Sequence, residues 1–175
     1  MRSLFVLSVL LIAGCGEDVP PDSWEVIELG TAASFRDIHF LDADNGWMVG
    51  AVSVAIPGGI LARTHDGGLN WEYRTGILGK RTGSHSVDLN AVHFVDPLRG
   101  SIAAEAGTLI ITEDGGATWD KVYPVGPVYA QYRAIDFIDS MNGWVIGRRG
   151  VLRTEDGGAT WTKIDEELES TGVAL

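Results

Sequence analysis

A chain of 175 residues is enough for one domain or two small ones, and 24 acidic against 13 basic side chains give it a net charge of −11. That balance argues against a nucleic-acid surface or an anionic-membrane face. A single cysteine excludes an internal disulfide framework and a four-cysteine zinc site, while 45% hydrophobic residues suffice for a core. In chain order, Met1 and Arg2 precede an apolar run over residues 4–12. Such a run is too short to span a bilayer, but it suits the core of a secretory signal.

Next comes Leu11-Ile12-Ala13-Gly14-Cys15, which resembles the lipobox of bacterial lipoproteins. The resemblance implies acylation of the Cys15 thiol and cleavage before it, with Gly14 as the small residue at the cut. An ordinary cleaved signal and a retained anchor or buried core cysteine are the alternatives. On the lipoprotein reading, residues 1–14 are the signal peptide and 15–21 a lipid-anchored polar tether. Several acyl chains would hold firmly, at about 0.8 kcal/mol per buried methylene. The expected location is the bacterial cell envelope, facing the periplasm or exterior. Gly16 stands where an aspartate commonly signals inner-membrane retention, so an outer-membrane anchor is permitted in a Gram-negative cell.

Residues 22–164 are repetitive. Phe35-Arg36-Asp37-Ile38-His39-Phe40-Leu41-Asp42, Leu89-Asn90-Ala91-Val92-His93-Phe94-Val95-Asp96 and Tyr132-Arg133-Ala134-Ile135-Asp136-Phe137-Ile138-Asp139 align. Each is followed by a turn and a second run, with Asn45-Gly46-Trp47, Gly100-Ser101 and Asn142-Gly143-Trp144 in equivalent places. Each unit then ends in an Asp-Gly-Gly turn and a tryptophan. Trp71, Trp119 and Trp161 lie 48 and 42 residues apart. Each unit holds four apolar runs of four to seven residues, too short for ordinary helices. Four short strands per period of this length predict an all-β fold, a β-propeller of four-stranded blades. A parallel β-helix uses shorter coils, and a sandwich would not repeat its turns so faithfully.

The turns carry the most specific likeness. Thr64-His65-Asp66-Gly67-Gly68-Leu69-Asn70-Trp71 resembles the Asp-box of BNR repeats, and Thr112-Glu113-Asp114-Gly115-Gly116-Ala117-Thr118-Trp119 and Thr154-Glu155-Asp156-Gly157-Gly158-Ala159-Thr160-Trp161 match it more fully. A carboxylate can accept turn N–H groups, glycine can take positive φ, and tryptophan packs an apolar face on the neighbouring strands. Asp66, Gly68, Trp71, Asp114, Gly116, Trp119, Asp156, Gly158 and Trp161 are therefore expected to be structural, since repetition gives them one shared job. Asn70 replaces threonine, so the first turn is expected to be slightly less well satisfied. Over residues 22–164 the chain resembles the photosystem II stability and assembly factor family of plants and cyanobacteria, and its bacterial relatives. The resemblance implies a non-enzymatic extracytoplasmic propeller that helps membrane protein complexes assemble.

Trp24-Glu25-Val26-Ile27-Glu28-Leu29 has the look of an outer strand, so three blades plus one N-terminal strand are expected, with residues 165–175 an acidic tail. Propellers close with about four to eight blades. A truncated reading frame, self-association that completes the ring, and a stable open array are the three readings of that shortfall.

Among candidate contacts, Arg36 and Arg133 recur in the first strands, while Arg74 and Arg81 sit on a basic insertion over residues 73–86. His39, His93 and Asp136 share one repeat position and could converge as a transition-metal ligand set, but polar packing between blades is the favoured account. No cofactor and no catalytic residue is expected. The functional expectation is a lipid-anchored scaffold that binds a protein or membrane complex. The alternatives are a carbohydrate-binding module using Trp and Tyr, and a fragment of a sialidase-like glycosidase. Arg63 and Arg153 also repeat, which explains arginines more simply than a unique sialidase site does.

Overall fold

The computed structural model describes residues 27–52, 59–77, 88–122, 131–148 and 150–164. They form three antiparallel sheets, each a four-stranded meander. The first blade contains β1 (Ser34–Phe40), β2 (Gly46–Ala51), β3 (Ile60–Thr64) and β4 (Glu72–Thr75). The second contains β5 (Leu89–Phe94), β6 (Gly100–Ala104), β7 (Leu109–Thr112) and β8 (Asp120–Val122). The third contains β9 (Tyr132–Phe137), β10 (Gly143–Gly147), β11 (Gly150–Thr154) and β12 (Thr162–Lys163). The chain is thus all-β over the described residues, with blades of the expected build. Of the expected N-terminal strand, residues 24–26 lie outside the described residues, and 27–29 belong to no described strand. Leu29 instead offers its carbonyl to the Tyr73 hydroxyl on β4, at 2.8 Å. The leader, Cys15, the tether, Arg81 and the tail also lie outside the described residues.

Two local devices build each blade. The first closes the turn between its first two strands. The Asp42 carboxylate accepts the N–H groups of Asp44 and Asn45 at 2.9 and 2.7 Å. Asp96 does the same for Leu98 and Arg99, and Asp139 for Met141 and Asn142. Immediately beyond, the phenylalanine ring that ends each first strand lies on the glycine that starts the second. A Cβ on Gly46 would come within 2.7 Å of the Phe40 ring, and Gly100 and Gly143 stand in the same relation to Phe94 and Phe137. That close approach is why a glycine opens all three second strands.

The second device is the Asp-box. Thr64 Oγ1 donates to Asp66 Oδ1 at 2.8 Å and accepts the Gly68 N–H at 2.9 Å, while Asp66 accepts the Asn70 N–H at 2.9 Å. Gly67 and Gly68 take φ of +70° and +92°, a region costly for other residues. Trp71 Nε1 donates to the Gly68 carbonyl at 2.8 Å, which stands the indole edge-on to Phe40 with centroids 6.1 Å apart. The other two boxes repeat this set of bonds. One expectation is corrected here. Asn70 does not loosen the first box, because its side-chain N–H reaches Asp66 Oδ2 at 2.7 Å, as the hydroxyl of Thr118 reaches Asp114 at 2.6 Å.

The core lies between the blades rather than within them. Trp47, Val49 and Leu61 of the first blade pack against Val92, Phe94, Ile102 and Ile110 of the second. Ala91, Ala103 and Leu109 of the second pack against Tyr132, Ile135, Phe137, Val145, Leu152 and Trp161 of the third. Period-2 alternation gives every strand one side for each neighbouring blade, which is why β2, β6 and much of β3 and β7 are apolar on both faces.

Candidate functional site

The first strands lie side by side, β1 next to β5 and β5 next to β9. Residues at one repeat position therefore form rows across the blades. Arg36, Asn90 and Arg133 make the row nearest one end. Arg36 is clamped to the second blade, with one guanidinium nitrogen on the Asn90 side-chain oxygen and another on the Asp88 carboxylate. Glu105 stands 3.7 Å from the same guanidinium. Asn90 passes the connection on by donating to the Tyr132 carbonyl at 2.6 Å. Arg133 continues the row but makes no hydrogen bond or ion pair among the described residues, and it is exposed. With Arg36, Asn90, Glu105 and Gln131 it lines an open cleft of about 300 Å³. A side chain with five N–H donors facing such a cleft can take a carboxylate in bidentate fashion.

The next row holds His39, His93 and Asp136. The structure brings all three together as a ladder. His39 Nε2 lies 3.0 Å from the Phe94 carbonyl, so that nitrogen carries the proton. The two imidazoles are 4.5 Å apart between centroids, and His93 Nδ1 lies 3.0 Å from Asp136 Oδ1. Burial pushes the His93 pKa down, and the neighbouring His39 adds to this, while Asp136 and Asp37 oppose it. These nitrogens are occupied by partners in adjacent blades. No group of three or more His, Cys, Asp or Glu among the described residues is arranged to hold a metal ion. Beside this row, Asp37 reaches across to accept the Val92 N–H at 2.9 Å.

The remaining arginines of the first blade go to the next Asp-box. Arg74 Nη1 donates to the carbonyls of Gly116 and Ala117 at 3.1 and 3.2 Å. Arg63 Nη1 donates to Gly115 at 2.9 Å and lies 5.3 Å from the centroid of Trp47. Two arginines of the first blade thus grip the turn of the second. The aspartates of the boxes are held below the usual carboxylate range by hydrogen bonds, Asp114 at about 2, with the Thr118 hydroxyl the largest cause. Carboxylates so fully satisfied inside a turn are anchors, and proton transfer is not a role they are poised for. Sequence reasoning passed over Asp37, Asp42, Asp88 and Glu105. The recurrence of Asp42, Asp96 and Asp139 at one repeat position was the available signal for the turn, whereas nothing local marks Asp88 or Glu105 as partners of Arg36.

Residues 17–127 match the family described as photosynthesis system II assembly factor YCF48. A photosystem II assembly lipoprotein Ycf48 from Synechococcus sp. (strain CC9902) is 28% identical over 123 residues, which is 69% of this chain and 34% of that one. The solved structure described as YCF48 bound to D1 peptide superposes with a TM-score of 0.65 at 32% identity, covering 80% of this chain and 44% of the other. YCF48 from Cyanidioschyzon merolae superposes at 0.62 with 22% identity, covering 83% and 46%, a likeness of fold. The chain spans about a third of the length of the Synechococcus relative and under half of the two solved proteins. With three Asp-box blades of four strands and a family match over more than half its length, this chain is a β-propeller protein that belongs to the photosynthesis system II assembly factor YCF48 family.

Proposed function

We propose that this chain is a non-catalytic assembly factor, tethered to the bacterial cell envelope through Cys15, that binds a polypeptide segment of a membrane protein in the cleft beside Arg133. The observation that carries this reading is the exposed guanidinium of Arg133, which faces a polar cleft while its repeat equivalents Arg36 and Asn90 are engaged between blades. Membership in a family described by assembly, and a relative solved with a bound peptide, support it. The chain carries a charge of −11, so a carboxylate partner is attracted only at short range, where Arg133 outweighs a field screened beyond about 8 Å. The described tryptophans are buried or half-buried, and Tyr73, exposed at 39%, has its hydroxyl engaged on the Leu29 carbonyl.

The test uses the whole chain, expressed from its full coding sequence and extracted in mild detergent. Fluorescence anisotropy with the D1 peptide as probe should give saturable binding that weakens several-fold in Arg133→Glu and with added salt. Equal binding by wild type and Arg133→Glu would remove the cleft from the reading, and no binding would remove the peptide. The anchor is tested separately. Mass spectrometry should find diacylglycerol on Cys15, and Cys15→Ala should move the protein out of the membrane fraction.

A further inference from the structure

The joint between the second and third blades keeps the acceptors of the first joint and lacks its donors. His39, Trp47 and Arg63 lie side by side across β1, β2 and β3, and His93, Ser101 and Ile111 lie in the same register across β5, β6 and β7. In the first joint Arg63 lies over Trp47 and donates to the Gly115 carbonyl at 2.9 Å. Gly157 is the equivalent of Gly115 in the third Asp-box, and its carbonyl accepts no hydrogen bond among the described residues. Arg74, which donates to the carbonyls of Gly116 and Ala117, is matched in the second blade by Val122. Neither arginine of the first joint therefore has a counterpart in the second.

A void of about 40 Å³ stands in this place. His93, Ser101, Ile111 and Phe137 line it, with Glu113 and Gly157 at its Asp-box end. Ser101 is 5% exposed, and its hydroxyl has no hydrogen-bond partner among the described residues. His93 Nδ1 lies on Asp136 at 3.0 Å, and burial pushes the ring's pKa down, so near pH 7 Nε2 carries a free lone pair. Glu113 is exposed and makes no ion pair among the described residues, whereas Arg99, also beside the void, is held by Asp96 at 2.7 Å. A carboxylate, a lone pair, a hydroxyl oxygen and a carbonyl thus meet beside an aromatic ring, a set that favours a cation bearing N–H donors. Each water-sized group needs about 10–15 Å³, so the void takes an ammonium with an adjoining methylene and not a planar guanidinium.

We propose that this void is a socket for the ammonium of a lysine side chain presented by a partner polypeptide. Its three N–H groups are shared among Glu113, the Ser101 hydroxyl, His93 Nε2 and the Gly157 carbonyl, while the last methylenes lie on Phe137. The surroundings suit a basic segment. Backbone bonds from Gly115 to Leu98 and from Gly157 to Met141 hold the first-strand turns against the boxes, which brings Asp96 and Asp139 to the same end as Asp114 and Asp156. Both walls of the socket are blades described above. Arg133 stands at the start of β9, whereas the socket lies by the turn that follows its end, so this inference is independent of peptide binding at Arg133.

The test is NMR on the whole chain in mild detergent, with Nα-acetyl-lysine N-methylamide as the probe. Its uncharged isostere, Nα-acetyl-norleucine N-methylamide, and ammonium chloride at matched ionic strength are the controls. The lysine probe should give saturable shifts of the His93 ring nitrogens and the Phe137 ring, and the norleucine probe should give none. Glu113→Gln, a change at an exposed position, should weaken binding several-fold. Ile111→Arg, which restores the arginine of the first joint, should abolish it, with a cooperative melt of each variant as the check on folding. If Ile111→Arg does not fold, Glu113→Gln decides. Absence of a saturable shift, equal shifts from the norleucine probe, saturation by ammonium chloride as readily as by the lysine probe, or indifference to either change in a folded variant would each overturn the proposal.

Discussion

The joint between the first and second blades and the joint between the second and third share one backbone plan and are filled with different side chains. In the former, Trp47 and Arg63 fill the space and bind the next blade. In the latter, Ser101 and Ile111 stand in their places, and they line a small void of about 40 Å³ together with His93 and Phe137. The Phe137 ring is met there by His93, at 6.0 Å between centroids, instead of by a stacked indole. The difference shows that the repeat dictates the frame while each joint is packed by its own residues. It also predicts unequal strength, with the third blade held less firmly than the first.

The largest test of that inequality is to remove the central ring at each joint. Phe94→Ala should cost about 3–5 kcal/mol in chemical unfolding, as for other buried aromatics. Phe137→Ala should cost less, by about 0.5–1.5 kcal/mol, the usual value of an aromatic stack. Equal losses would break the comparison.

A smaller effect is expected from transplanting one joint into the other. Ser101→Trp places an indole where the void is far smaller than the ring, so it should destabilise by about 1–3 kcal/mol through overpacking. A gain in melting temperature would instead mean that the second joint opens to accept the first joint's design.

Protonation distinguishes the joints more gently. The His93 pKa is lowered in the folded state, so folding favours the neutral ring. Its contribution is complete above the ordinary value of about 6.5 and is lost as pH falls through the lower folded value. Urea midpoints measured from pH 8 to 5 should fall on acidification, and His93→Gln should flatten that fall. Hydrogen exchange over the same range should quicken in β1 before β9, because a charged His93 is repelled by His39 and attracted by Asp136. The smallest effect lies in the boxes, where all three aspartates are lowered. Their contribution is present above about pH 4 and lost towards the Asp114 value of about 2, and Asp114→Asn should reduce that acid step in the melting curve.

The blades were legible because their cues are short-range. An Asp-box bonds residues at most four apart, so Thr64, Asp66 and Gly68 can be read as a turn without any knowledge of the rest of the chain. Asn70 was misjudged for a local reason as well, since an amide N–H can take the place of the threonine hydroxyl on the same carboxylate oxygen. The arginines were harder. Arg36 and Arg133 are identical in repeat position, yet one is clamped by Asp88 and Asn90 and the other faces a cleft. Arg74 falls in the stretch read from sequence as a basic insertion, yet it lies in β4 paired with β3, and its guanidinium rests on the next blade's turn.

What the sequence by itself determined is the repeat: four strands per unit, the glycine under each phenylalanine, and the hydrogen-bonded turns that space them. Those features depend on neighbours a few residues away, and the chain carries them wherever it goes. Only the tertiary structure decided which of the recurring polar residues became joints and which remained open. The partner of Arg36 lies 52 residues on, that of His39 55 residues on, and that of Asn90 42 residues on. At such separations a side chain's partner is set by how one blade lies against the next, and a single substitution such as Ser101 for tryptophan redirects it.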